Sequence, residues 1–308
     1  MSSSASFSER LAAAVTEKNS RLCVGLDPRL ENIPDDLRGR AFYEHGATPK
    51  AVAAAFEAFG AKVLELVAPL APVVKLQSAF YEALGPDGAV ALRATLLRAR
   101  ELGLLAICDA KRGDIGSTAE AYAAAYLGSL KIGSSAEFEA YPADALTVSP
   151  FLGPDTLKPF ADVALARGRG LFVLAKTSNP GSGEFQDLVV DGRSVTERVG
   201  DAVRAIGERR PCGYRDAGIV VGATYPEQLR ALRDRLPDLW FLVPGVGAQG
   251  ARPEDVRSAF DSRGLGAVVN SSRAVIYAHE GSAGPWEKAV ERAARQTRDA
   301  LNRALPKA

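Results

Sequence analysis

The chain has 308 residues, 47% of them hydrophobic and 24% charged, with 38 basic against 37 acidic side chains and a net charge of +1. That balance removes the electrostatic case for a nucleic-acid or membrane-surface partner, and no stretch approaches the ~20 apolar residues of a membrane span. Three cysteines, Cys23, Cys108 and Cys212, form no Cys-x-x-Cys pair, which argues against a secreted disulfide framework and predicts a reducing, cytoplasmic compartment.

Residues 1–20 mix both charge signs, have no apolar core of signal-peptide length, and are expected to form a helical extension. Eight short apolar runs follow, at 21–27, 72–77, 105–111, 145–150, 170–177, 217–224, 240–246 and 266–272. Most are apolar on both faces, as strands are when helices cover one side and the other packs inward. Amphipathic segments lie between them at 48–70, 88–103, 193–209 and 226–236, and another at 285–305 closes the chain. Pro in the first turn with an acid close behind, as in Pro226-Glu227, marks helix starts.

This alternation predicts an α/β fold, a single (β/α)8 TIM barrel over 1–308; a doubly wound open sheet fits the same pattern. The barrel is preferred because the runs end in residues able to do chemistry: Asp27, Lys75, Asp109 and Lys111, Thr177, Gly245 and Gly247, and Ser272. Barrels build their sites at that face. Two connections are long, 112–144 and 178–216, and the start of the second, about 178–190, is expected to act as a lid.

The segment LLAICDAKRGDIGST (104–118) is the most informative. Side chains two apart on a strand share a face, so Asp109 and Lys111 are expected to project together, with Asp114 in the loop beyond. Taken alone, Asp-x-Lys-x-x-Asp also fits a salt-bridged strand end. Lys75 on the preceding strand and Asp27 on the first bring two further charges to the same mouth, where desolvation makes them costly unless paired. Near the other end, VPGVGAQG (243–250) and NSSRAV (270–275) place Gly245, Gly247 and Gly250 ahead of Arg273. Glycines let backbone amides approach an anion and arginine grips it bidentately, so a phosphate is expected there, although VPGVGAQG alone could be a plain turn. The spacing fits neither a P-loop nor a dinucleotide fingerprint.

Together these segments resemble the orotidine 5′-phosphate decarboxylase family, more closely its longer bacterial branch, from VGLDP near the start to NSSRAVIYA near the end. The resemblance implies a cofactor-free, metal-free homodimer of barrels that turns orotidine 5′-monophosphate into UMP and CO2. Asp109, Lys111 and Asp114 match the family's Asp-Lys-Asp, with Lys75 completing the charge network. Asp114 and Thr118 would act in the partner's site. Asp27 and Lys75 match the ribose contacts, Ser178 the serine that reads the pyrimidine edge, and Gln249 and Arg273 the phosphate ligands, with Gly247, Gly250 and Ser272 beside them. One departure is Ser272-Arg273-Ala274 where the family often has Gly-Arg-Ser, which forfeits a hydroxyl at 274.

Relatives with the same strand make or break sugar phosphates with Mg²⁺. Here Leu76 follows Lys75, and Glu82 lies well into the loop. A nucleotide-binding barrel without catalysis is a further alternative. A zinc hydrolase is excluded, because His45 and His279 have no ligand spacing.

Overall fold

The computed structural model describes residues 5–247 and 250–306. Its elements run in chain order as α1 (Phe7–Glu17), β1 (Leu22–Leu26), α2 (Asp35–His45), α3 (Pro49–Val67), β2 (Val73–Gln77), α4 (Ser78–Glu82), α5 (Pro86–Glu101) and β3 (Leu105–Arg112). Next come α6 (Gly116–Leu127), a hairpin of β4 (Leu130–Ile132) and β5 (Ala136–Phe138), β6 (Ala145–Val148), α7 (Lys158–Ala166) and β7 (Gly170–Lys176). The remainder is α8 (Gly183–Gln186), a hairpin of β8 (Val189–Val190) and β9 (Arg193–Ser194), α9 (Val195–Arg204), β10 (Ala217–Val221), α10 (Pro226–Arg235), β11 (Trp240–Pro244), β12 (Ala267–Ser271), α11 (Arg273–Ile276) and α12 (Trp286–Ala304).

Eight parallel strands close in the order β1, β2, β3, β6, β7, β10, β11, β12, with β12 pairing back onto β1. The closed ring decides between the two topologies in favour of the barrel, and each expected apolar run supplies one of its strands.

The double-sided apolar character of these runs is explained by where alternate residues go. Leu22, Val24 and Leu26, like Val74 and Leu76 or Ala106 and Cys108, pack outward in the large cluster beneath the helices. Cys23, Val73, Ile107, Phe172, Trp240, Leu242 and Val268 point inward and meet α1 residues Phe7, Leu11 and Val15 in a second cluster. Burial there pushes the Cys23 thiol up to about 12, so it packs as an inert small hydrophobe. Phe7 meets Phe172 edge to face at a 6.0 Å centroid separation, and the Ser8 amide and hydroxyl bond Asp216 Oδ1 at 2.9 and 3.0 Å. A capping box of Ser6 and Glu9 starts α1. The N-terminal helix thus plugs the barrel floor, and every inward position above that plug is free to face the opposite mouth.

The two long connections hold structure that the sequence reading treated as loop: α6 and the β4–β5 hairpin in the first, and α8 and the β8–β9 hairpin in the second. Strands of two or three residues are too short to carry a period.

Candidate active site

At the C-terminal mouth the inward positions turn polar on β1, β2, β3, β6 and β12, and line a pocket of about 380 Å³, within the range of small-molecule sites. Its centre is Asp109. Register sets Gln77 of β2 opposite Asp109 and Lys75 opposite Ile107. Lys75 Nζ donates to Asp109 Oδ2 at 2.8 Å and lies 3.7 Å from Asp27 Oδ1. Lys111 Nζ donates to Asp109 Oδ1 at 2.7 Å. Gln77 Nε2 donates to Oδ2 at 2.9 Å and Thr147 Oγ1 to Oδ1 at 2.8 Å, so four donors converge on one buried carboxylate. Thr147 Oγ1 also accepts the Lys111 backbone N–H at 2.9 Å.

Burial alone would push the Asp109 carboxyl up, but Lys75 and then Lys111 outweigh it and hold the group well below the usual carboxylate range. Lys75 is the mirror case: burial works against its ammonium, yet Asp109 and Asp27 together raise it above an ordinary lysine. Both groups are therefore fixed in their charged forms before any ligand arrives.

Lys111 reaches Asp109 by a different route from strand alternation. Its backbone is left-handed at φ 48°, and the β3–β6 register shifts between Cys108 and Arg112. A non-glycine residue there costs on the order of 1–3 kcal/mol, and such strain clusters at functional sites. The pairing expected from the sequence is present, but a backbone kink brings it about.

The rest of the pocket is made by neighbouring strand ends. Asp27 is fixed through its backbone: the Tyr277 hydroxyl donates to Asp27 O at 2.9 Å and accepts the Arg29 N–H at 2.7 Å. Leu174, Val220 and Leu242 form an apolar wall, Thr177 and Ser178 continue from β7, and Gly245, Val246, Asn270, Ser272 and Arg273 complete the ring. Gly247 and Gly250, at φ 84° and 90°, shape the turn after β11. Their amides are engaged within it, Gly247 N–H on Ala251 O and Gly250 N–H on Gly247 O, both at 2.9 Å. The sequence reading had these amides facing an anion; here the left-handed turn uses them itself. Gln249 lies outside the described residues.

Asp114 and Thr118 do not line the pocket of their own chain; Asp114 Oδ1 accepts the Ile115 N–H at 2.8 Å. Glu82 pairs with Arg112 and is not in the pocket wall.

Gln77, Thr147, Asn270 and the apolar wall were missed by sequence reasoning. The available signals were Gln77 two positions after Lys75 on the same face, and single polar residues inside the apolar runs ALTV and AVVN.

Residues 20–284 match the family described as Orotidine 5′-phosphate decarboxylase / HUMPS. The chain is 46% identical to the orotidine 5′-phosphate decarboxylase of Rhodopirellula baltica across 96% of its own length and 98% of that protein's. It is 42% identical to that of Deinococcus radiodurans, covering 96% and 97% of the two chains. The solved structure of Leishmania donovani OMP decarboxylase superposes with a TM-score of 0.73 at 32% identity, over 97% of this chain and 98% of that one.

Proposed function

The chain belongs to the orotidine 5′-phosphate decarboxylase / HUMPS family, and from that premise we propose how its pocket works. It is a carboxy-lyase that converts orotidine 5′-monophosphate to UMP and CO2 in pyrimidine biosynthesis. The observation that carries the residue-level reading is the single buried carboxylate, Asp109, held between the ammonium groups of Lys75 and Lys111.

Breaking the bond from C6 to the carboxylate leaves an electron pair in the plane of the ring, where no carbonyl can delocalise it. Charges set in place beforehand are the means of stabilising it. The Lys111 ammonium faces the developing carbanion and delivers its proton to C6; the amine regains a proton from solvent after product leaves. Asp109 and Lys75 hold that array in register. One charge pair at 4 Å is worth about 4 kcal/mol at an effective dielectric near 20, so a few such contacts matter on the scale of a barrier. The apolar wall of Leu174, Val220 and Leu242 suits neutral CO2 better than the carboxylate it came from.

In this reading Asp27 and Lys75 hold the ribose hydroxyls, and Ser178 reads the pyrimidine edge. Ser272 and Arg273 bind the phosphate, with Gln249 on the turn that Gly247 and Gly250 shape. Phosphate binding draws the 178–190 segment over the pocket. A second copy of the chain adds Asp114 and Thr118 to each site. Large apolar side chains exposed on the adjoining loops support this: Ile115 in the β3–α6 loop, and Phe151 and Leu152 after β6. The reaction runs in the cytoplasm without metal or organic cofactor, so a chelator should leave the rate unchanged.

Loss of orotidylate absorbance gives the test. Lys111→Ala should lower kcat by at least about 10⁴-fold, the scale of removing both charge stabilisation and the proton donor, while UMP still binds. A near-normal rate in that variant would remove Lys111 from its role.

A further inference from the structure

Among the described residues, two of the buried side-chain atoms without a hydrogen-bond partner belong to the pocket wall: Asp27 Oδ1 and Asn270 Oδ1. Asp27 already has a role in the reading above. Asn270 has none. It sits on β12 after Ala267, Val268 and Val269, is 8% exposed, and is held from one side only, by its Nδ2 on Ser272 Oγ at 3.1 Å. A buried amide oxygen left without a donor is costly, and the apolar run Ala267, Val268, Val269 before it shows no packing need for an amide there.

The space in front of Asn270 is set by β1. Gly25 pairs with Lys75 on one side. A Cβ at Gly25 would lie 2.9 Å from Asn270 Oδ1 and 1.9 Å from Ser272 Oγ on the other. The missing side chain makes room for Ser272 Oγ and Asn270 Oδ1, which line the pocket wall together with Lys75 and, two positions along the same face of β1, Asp27. Asp27 Oδ1 and Asn270 Oδ1 both lack a hydrogen-bond partner, so this part of the wall calls for a ligand that brings hydroxyl donors. In a pyrimidine nucleotide the donors are the ribose hydroxyls and one ring N–H, and Ser178, the proposed reader of the base, stands on the far side of the barrel after β7.

We infer that Asn270 is a specificity-determining residue that accepts a hydrogen bond from a ribose hydroxyl through Oδ1, so that the pocket reads the sugar from β12 as well as from β1 and β2. This rests on the decarboxylase reading of the site.

Binding of UMP, 2′-deoxy-UMP and 3′-deoxy-UMP to the full-length wild type and to Asn270→Val tests it, with thermal melting measured alongside. The wild type should bind one deoxynucleotide about tenfold more weakly than UMP, the loss of one hydrogen bond. Asn270→Val should lose about the same tenfold for UMP and nothing further for that deoxynucleotide. Its melting temperature should be equal to or above that of the wild type, because a buried polar group has been replaced by a β-branched residue in a strand. Equal weakening of all three ligands, unchanged binding of all three, or a lowered melting temperature with sugar selectivity retained would each overturn the inference. If the wild type bound no UMP, the decarboxylase reading would fall with it; if UMP bound normally and only the Asn270 effect were absent, this inference alone would fail.

Discussion

At the scale of single residues the site is an exercise in keeping charge where burial opposes it. Removing one partner from a buried pair costs about 3–5 kcal/mol, because the survivor is left uncompensated. Asp109→Asn strands Lys75 with only Asp27 at 3.7 Å, and should destabilise the fold by that order while abolishing turnover. The pH dependence has a fixed sign. Asp109 titrates lower in the folded chain than in the unfolded one, so its stabilisation is complete above about pH 4 and fades as pH falls through the folded value. Lys75 titrates higher in the folded chain, so its share is complete below about pH 10 and fades only as pH rises further. Urea denaturation should therefore find a constant gap between wild type and Asp109→Asn from about pH 5 to 9, narrowing in acid. A gap that widened in acid would contradict the pairing. The charged members of this array were legible in the sequence because Lys75, Asp109 and Lys111 interrupt apolar strands. Thr147, Gln77 and Asn270 were not, since an uncharged polar residue in a strand is ordinary until its neighbours across the barrel are known. The kink at Lys111 was hidden for a similar reason: φ is set there by the register with β6, a contact no local spacing records.

At the scale of elements, the eight strands were readable because their burial is uniform and their helices begin with recognisable chemistry, as Thr48-Pro49 does for α3 and the Ser194–Glu197 capping box for α9. The barrel plug was half readable. A helix was expected at the N-terminus, but its apolar face gave no hint that Phe7 would seal the ring against Phe172. Phe7→Ala should cost about 3–5 kcal/mol in denaturant unfolding while kcat is kept, since Phe7 and the Phe172 it packs on do not line the pocket. The segment proposed as a lid has an anchor of its own. Lys176, fully buried at the end of β7, bonds both oxygens of Asp187 at 2.8 and 2.7 Å and lies 4.5 Å from the centre of the Tyr225 ring. Lys176→Met keeps the length and removes the charge, releasing the segment between Thr177 and Asp187. Limited proteolysis within 178–190 should speed up by about tenfold, the effect of about 1.4 kcal/mol of lost local stability. KM for orotidylate should rise more than kcat falls. Unchanged cleavage would show that the segment is held by other contacts.

At the scale of the whole molecule, the site of one barrel is incomplete in the proposed reading. Lys111 is tied to Asp109 on one side, while its own chain's Asp114 is outside the pocket, and the apolar residues around the β3–α6 loop and after β6 face solvent. A two-fold dimer would cover that face and exchange the Asp114 loops, since an isologous interface presents the same patch from both copies. Phe151, 85% exposed, is the most open member of that patch. Phe151→Asp should shift sedimentation toward the monomer and lower turnover with it, whereas a site complete within one chain would keep its activity. Mixing inactive variants separates shared sites from merely adjacent ones. If the site is shared, Lys111→Ala and Asp114→Ala homodimers each lack one half of every site. After subunit exchange, half of the dimers are mixed, and each mixed dimer pairs one intact Lys111 with one intact Asp114 from the other chain. Activity should recover to about one quarter of wild type, the share of sites that two-fold symmetry rebuilds. If both residues served the same chain, the mixture would stay as inactive as its parents, because each site would still lack one of them.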